Sequence, residues 1–167
     1  MKILLTYSSK TGNTKSVAEA IAKVLPAGTD FFEMQQVKTA DTYDAVICGF
    51  WIDKGLPNKE ALDFIEQIKN KKTAYFFTLG AYPDSEHARK CHKNITELFT
   101  KNGNTVEAAF GCQGRIDPNL TKMFMSFPKG HPHYMDEARR KRHEEAAKHP
   151  NDEDFKNAQE AFKNLWK

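Results

Sequence analysis

The chain is short of several features that would each settle a class. Its 167 residues hold only three cysteines, Cys48, Cys91 and Cys112, an odd number at wide spacing with no C-x-x-C pair. A disulfide framework and a dithiol motif are therefore disfavoured, and a reducing, cytoplasmic setting is expected. No apolar run approaches the roughly 20 residues a membrane-spanning helix needs. The opening MKILLTYSSKTGNT shows no signal-peptide cleavage region. Nine Gly and seven Pro exclude collagen-like and low-complexity classes. Charge of one sign is lacking too. The 25 Lys and Arg face 22 Asp and Glu, and a net +3 is too mild to announce nucleic-acid binding without a basic stripe. Neither G-x-G-x-x-G nor G-x-x-x-x-G-K-S/T occurs, so dinucleotide and triphosphatase fingerprints are missing. His131, His133, His143 and His149 stand without a Cys pair or acid cluster at ligand spacing, so a polar loop is expected there and no metal.

What is present is an alternation of strand-sized and helix-sized blocks. A composition of 40% hydrophobic and 28% charged residues suits one domain over residues 1–167. Such a length buries about two-thirds of its unfolded surface. Apolar runs at 2–7, 29–34, 44–51, 73–79 and 105–112 read as strands, the central ones apolar on both faces. Helical spacing appears at 13–25, from Pro57 through Leu62, Ile65 and Ile68, at 85–101, and at 151–167. Little stands between Met34 and Asp44 to make a helix. The pattern is still that of an α/β protein with a doubly wound, five-stranded parallel sheet. Residues 114–150 interrupt the rhythm as an insertion before the last helix, with a charged helix at about 136–148. Its run Arg139-Arg140-Lys141-Arg142 reads as a solvated helical face. Cys48 and Cys91 are expected as small core residues, and Cys112 at the exit of the fifth strand.

Open parallel sheets bind ligands outside the carboxyl ends of their strands. After the first strand comes SSKTGNT, which runs straight into a helix. A helix N-terminus offers unpaired N–H groups and the positive end of a dipole. Ser9, Thr11 and Thr14 add hydroxyls, Asn13 an amide, and Gly12 allows a tight turn. One cap needs one such residue, whereas here the whole loop is hydroxyl or amide, as a monophosphate site would be. The third and fourth strands run out into Trp51-Ile52-Asp53-Lys54-Gly55 and Thr78-Leu79-Gly80-Ala81-Tyr82. Each delivers a large aromatic to the same edge, where a planar ring would be held by stacking. A receiver domain shares this winding but needs acids where Ser8 and Trp51 stand.

The string S-x-T-G-N-T, from Ser9 to Thr14 at the end of a first strand, resembles the FMN-phosphate loop of the flavodoxin family. The resemblance implies a flavodoxin-like fold with FMN as cofactor. Ser9, Lys10, Thr11, Gly12, Asn13 and Thr14 would hold the phosphate. Trp51 and Tyr82 would flank the ring, with Ile52, Asp53, Lys54, Gly55 and Ala81 beside them. Thr78, Leu79 and Gly80 would offer backbone contacts to the ring's polar edge. The Lys54-Gly55 peptide is the candidate for a carbonyl that accepts from the reduced ring; the alternative is a turn that simply needs φ > 0 at Gly55.

Three departures stand out: a basic chain, a Lys at position 10, and the insertion at 114–150. The combination GFWIDKG, TLGAYPDSEHA, CQGRIDP and GHPH is similar to the BilS subgroup of that family, which implies a bilirubin reductase as partner. The expected function is electron transfer from a reductase to an acceptor enzyme, with no nucleic acid and no membrane span. The alternatives are an FMN-dependent NAD(P)H:quinone or azo-type oxidoreductase, and a non-redox binding module that has lost its flavin.

Overall fold

The computed structural model describes residues 1–167. The elements run β1 (Ile3–Tyr7), α1 (Asn13–Ala22), β2 (Asp30–Glu33), a 3-10 turn (Met34–Gln36), β3 (Ala45–Asp53) and β4 (Leu56–Pro57). There follow α2 (Lys59–Ile65), β5 (Lys72–Leu79), α3 (Glu86–Thr100), β6 (Thr105–Gln113), α4 (Pro118–Met125), α5 (Glu137–Ala146) and α6 (Asp152–Phe162). Five strands form one parallel sheet in the order β2-β1-β3-β5-β6. The short β4 pairs antiparallel with the end of β3.

The apolar runs are continuous because the sheet is covered on both faces. Alternate residues serve opposite layers, as the two-residue period of a strand requires. Leu4, Val46, Tyr75 and Phe77 pack with Ile65 of α2 and Ile95 and Phe99 of α3. Leu5, Ile47, Ala74 and Phe76 pack with Val17 and Ile21 of α1 and Ala158 and Phe162 of α6. Each fully buried ring contributes roughly 1.5–3 kcal/mol. Gly49 lies opposite Phe76 in the β3–β5 register. A Cβ at Gly49 would run into the Phe76 ring, so the glycine is what lets that ring lie flat across the neighbouring strand.

Three expectations are corrected. Pro57 does not open a helix. It pairs with Ile52 in a hairpin whose loop residues Lys54 (φ 50°) and Gly55 (φ 81°) both have positive φ, as a type I′ turn requires. The helix starts at Lys59 instead, after Asn58, whose N–H donates to the Trp51 carbonyl at 3.0 Å. The insertion holds a second helix, α4, that hydropathy did not mark. Finally, the basic run on α5 is not wholly solvated. Arg140 and Lys141 are exposed, but Arg139 and Arg142 turn inward, and Arg139 lies 5.3 Å from the Phe124 ring centre.

Candidate functional site

A cavity of about 550 Å³ opens at the carboxyl edge of the sheet. It brings together Ser9, Lys10, Thr11, Asn13 and Thr14 from the first loop, Trp51, Ile52, Asp53 and Lys54 from the second, and Thr78, Leu79, Gly80 and Ala81 from the third. Gly12, Gly55 and Tyr82 do not line it. Gly12 shapes the loop from behind, with φ 93° at the N-cap of α1. Gly55 lies in the β3–β4 turn. Tyr82 is 39% exposed in the turn before α3, where its carbonyl accepts from Ser85.

The first loop leaves several backbone donors free. Helices α3, α4, α5 and α6 are each capped by a side chain, from Ser85, Asp117, Asp136 and Asn151. At α1 and α2 the N-cap residue makes no side-chain capping bond, and of these two only α1 has no acid in its first turn. The Ser9 hydroxyl accepts long bonds from the N–H groups of Gly12 (3.2 Å) and Lys15 (3.3 Å). The N–H groups of Lys10, Thr11, Asn13 and Thr14 meet no protein acceptor. Uncapped donors at a helix start concentrate positive potential where a phosphate would sit.

That loop is fastened on three sides. The buried Thr14 hydroxyl lies 3.0 Å from that of Thr78 at the end of β5. Asn13 donates to the Arg115 carbonyl at 2.8 Å, tying the loop to the segment after β6. Ser8 receives a bond from Asn58 at 2.9 Å and donates to Glu60, tying the loop to the start of α2. Held in this way, the loop is ordered before any ligand arrives, which lowers the cost of binding.

One wall of the cavity comes from α3 and the insertion: His87, Ile116, Leu120, Phe124, Arg142 and His143. Phe124 is the aromatic that this wall presents, clamped by His133 (stacked at 5.2 Å), by His143 (edge-on at 6.0 Å) and by Arg139. His143 is buried, with Nδ1 2.9 Å from the Thr121 hydroxyl. Burial first, then the charges of Arg142 and Arg139, push its imidazole below the ordinary range, so it is neutral at pH 7. Lys10 bridges to Asp117 at 3.7 Å and stands 5.9 Å from the Trp51 ring centre.

Sequence reasoning missed this wall. Residues 114–117 follow a strand at the productive edge, and reading that exit would have found them. The helix expected at 136–148 is borne out as α5, but nothing local to α4 or α5 says that they turn back over the sheet edge, and α4 fully buries none of its residues.

Burial pushes the Cys48 and Cys112 thiols far up, so neither is a nucleophile. His131 stacks on Phe127 at 3.9 Å, which gives that imidazole a packing role. No group of three or more His, Cys, Asp or Glu is placed to hold a metal, and no helix is long and apolar enough to cross a membrane.

A doubly wound parallel sheet, with a cavity at its carboxyl edge between the start of α1 and the aromatic side chains of Trp51 and Phe124, defines an open α/β domain. Residues 4–163 match the family described as Flavodoxin domain, and the chain belongs to that family. It is 31% identical over 172 residues to the flavodoxin-like domain-containing protein BilS of Clostridioides difficile (strain CD3), covering 99% of this chain and 96% of the relative. Its fold is similar to oxidised flavodoxin 2 from Bacillus cereus, with a TM-score of 0.60 at 20% identity over 96% and 94% of the two chains. It is also similar to a flavoprotein in complex with FMN from Lactobacillus acidophilus NCFM, with a TM-score of 0.52 at 18% identity over 72% and 97%.

Proposed function

We propose that the chain holds FMN in this cavity and carries electrons from a reductase to an acceptor enzyme. The observation that carries the reading is the start of α1, where the N-cap Gly12 supplies no capping side chain and the N–H groups of Lys10, Thr11, Asn13 and Thr14, all cavity-lining residues, meet no protein acceptor beside Trp51. The donor set is neutral hydroxyl and amide, with one lysine already engaged by Asp117, which suits a single phosphate better than a pyrophosphate. Family membership and an FMN-bound structural neighbour support the same cofactor. The full-length likeness to BilS supports a bilirubin reductase as the acceptor. Three buried free thiols suit a reducing, cytoplasmic setting.

The chain's own residues bind, orient and exclude water, while the flavin supplies one- and two-electron chemistry. Thr11, Asn13 and Thr14 would hold the phosphate, and the Thr14–Thr78 contact keeps that end of the cavity fixed on β5. Trp51 on one loop and Phe124 on α4 supply aromatic surface, and backbone groups of Thr78, Leu79 and Gly80 would be offered to the polar edge of a bound ring. A second reading, direct reduction of a small quinone or azo compound, is favoured by one observation: the buried His143 imidazole lines the cavity, where its ring could take part in proton transfer to a bound substrate.

Titration of the apoprotein with FMN, followed by anaerobic photoreduction, tests both readings. Stoichiometric fluorescence quenching and reduction in two resolved one-electron steps are expected. Reduction in a single two-electron step with catalytic NAD(P)H oxidation would favour the second reading. Absence of quenching would remove both.

A further inference from the structure

The charge of this chain is not spread evenly. Residues 114–150 carry eight Lys and Arg against five Asp and Glu, while the other 130 residues hold seventeen of each. The whole net charge of +3 therefore sits on the insertion. Two of its cations are neutralised locally, Lys141 by Glu137 at 3.3 Å and Lys148 by Glu145 at 3.0 Å. Lys122, Lys129, Arg140 and Arg142 reach no carboxylate.

The same insertion exposes apolar surface. Helix α4 buries none of its eight residues, and Leu120, Met123 and Met125 are 39%, 47% and 67% exposed. Tyr134 adds a partly exposed ring. Leu120 is itself a cavity residue, so the apolar face of α4 begins at the cavity mouth. Two further exposed side chains, Leu56 and Tyr82, each lie within two residues of a lining residue. Contiguous exposed apolar surface rimmed by charge marks an interaction site, and methionine adapts to a partner's relief. Charge around such a patch sets encounter rate and partner choice.

We propose that the α4–α5 face is the docking surface for an acidic redox protein, one that presents carboxylates around an apolar centre. This rests on the cavity being the redox centre, since the patch adjoins its mouth and would bring the partner to it. Repulsion by the same face would exclude basic partners, which gives the insertion a role in specificity. The exposed, unpaired Arg140 and Lys122 lie outside the cavity, so they serve encounter without touching the ligand.

The test uses FMN-loaded protein and two probes of opposite charge, the acidic haem domain of cytochrome b5 and basic cytochrome c. Binding is measured by calorimetry, and electron transfer from the photoreduced protein by stopped flow, at low and high salt. The acidic cytochrome is expected to bind and be reduced faster at low salt, with both effects falling as salt rises. Arg140→Glu with Lys122→Glu should slow its reduction by about tenfold or more, and the milder Arg140→Gln with Lys122→Gln by less. FMN affinity should be unchanged in both variants.

Faster reduction of cytochrome c, salt-independent rates, or no response to either variant would overturn the proposal. So would partition onto anionic phospholipid vesicles without binding to the acidic cytochrome. If FMN does not bind at all, the redox reading fails by itself. Calorimetry of the FMN-free chain with the acidic cytochrome then still decides the surface: binding upholds it, and no binding overturns it.

Discussion

Thr14 and Thr78 join their side-chain hydroxyls 3.0 Å apart in a contact that is 1% and 3% exposed. Thr14 belongs to the first turn of α1, at the anion end of the cavity. Thr78 is registered against Trp51 of β3 on one side and Cys112 of β6 on the other. One buried hydrogen bond therefore fixes the anion end of the cavity relative to the aromatic end.

Replacing either threonine by the near-isosteric valine leaves the other hydroxyl buried without a partner, a penalty of about 1–3 kcal/mol. Thr14→Val and Thr78→Val should each lower urea stability by that amount. The double variant should lose clearly less than the sum, because no orphan hydroxyl remains. Additive losses in urea denaturation would show that the two hydroxyls do not act as a pair.

The aromatic wall is tested by comparing Phe124→Ala with Tyr82→Ala. Phe124 lines the cavity and is clamped by two imidazoles and a guanidinium, whereas Tyr82 lies outside the lining. An aromatic contact beyond simple burial is worth about 0.5–1.5 kcal/mol, so loss of Phe124 should weaken FMN by about tenfold once lost area is added. Tyr82→Ala should weaken it less. Fluorescence titration of both variants decides which aromatic faces the ring.

His149 joins the insertion to the last helix. Its Nδ1 lies 2.6 Å from Asp154 of α6 and its Nε2 3.3 Å from Glu145 of α5. Burial by itself would lower this imidazole, but the hydrogen bonds and charges of Asp154 and Glu145 outweigh it and hold it above the ordinary value. A raised folded pKa stabilises fully below the unfolded value of about 6.5 and stops contributing as pH rises through the folded value. His149→Asn should therefore reduce the melting temperature most below that pH, and the gap to wild type should close on the alkaline side. A gap that widened with pH would reverse the sign and refute the argument.

Gly49 and Phe76 make the core prediction. A side chain at position 49 must displace a ring that is fully buried between β1, α1 and α6. Overpacking of this kind costs about 1–3 kcal/mol. Gly49→Ala should lower the melting temperature, and adding Phe76→Leu should recover part of the loss in a thermal scan.

Much of this protein is legible in its sequence, for a local reason. Strands β1, β3 and β5 appear as apolar runs because both faces of the sheet centre are covered, the edge strand β6 is more mixed and half-exposed, and the α3 and α6 stripes follow from one covered face. The density of hydroxyls and amides from Ser8 to Thr14 exceeds what a single cap needs, so an anion loop can be inferred before any coordinates. Elsewhere the same local signal serves two outcomes. A proline ahead of a helical pattern fits a first turn or the edge of a hairpin, and Pro57 takes the second. A run of four basic residues looks alike whether all are solvated or two pack inward, as Arg139 and Arg142 do.

The alternation of strands and helices and the two apolar layers of the sheet were legible beforehand, since each is written in residues within about one element of one another. Only the tertiary structure decided what closes the cavity. Its insertion wall depends on contacts between residues far apart in the chain, such as Thr121 with His143 and Asn13 with Arg115. Helix α4, which supplies Phe124, is only eight residues long and fully buries none of them, so its short apolar stripe does not say what it covers. Burial writes a pattern into sequence only where a face is covered. A wall held by aromatic stacking and ion placement at the open edge of a sheet is covered by nothing until the chain has folded back upon it.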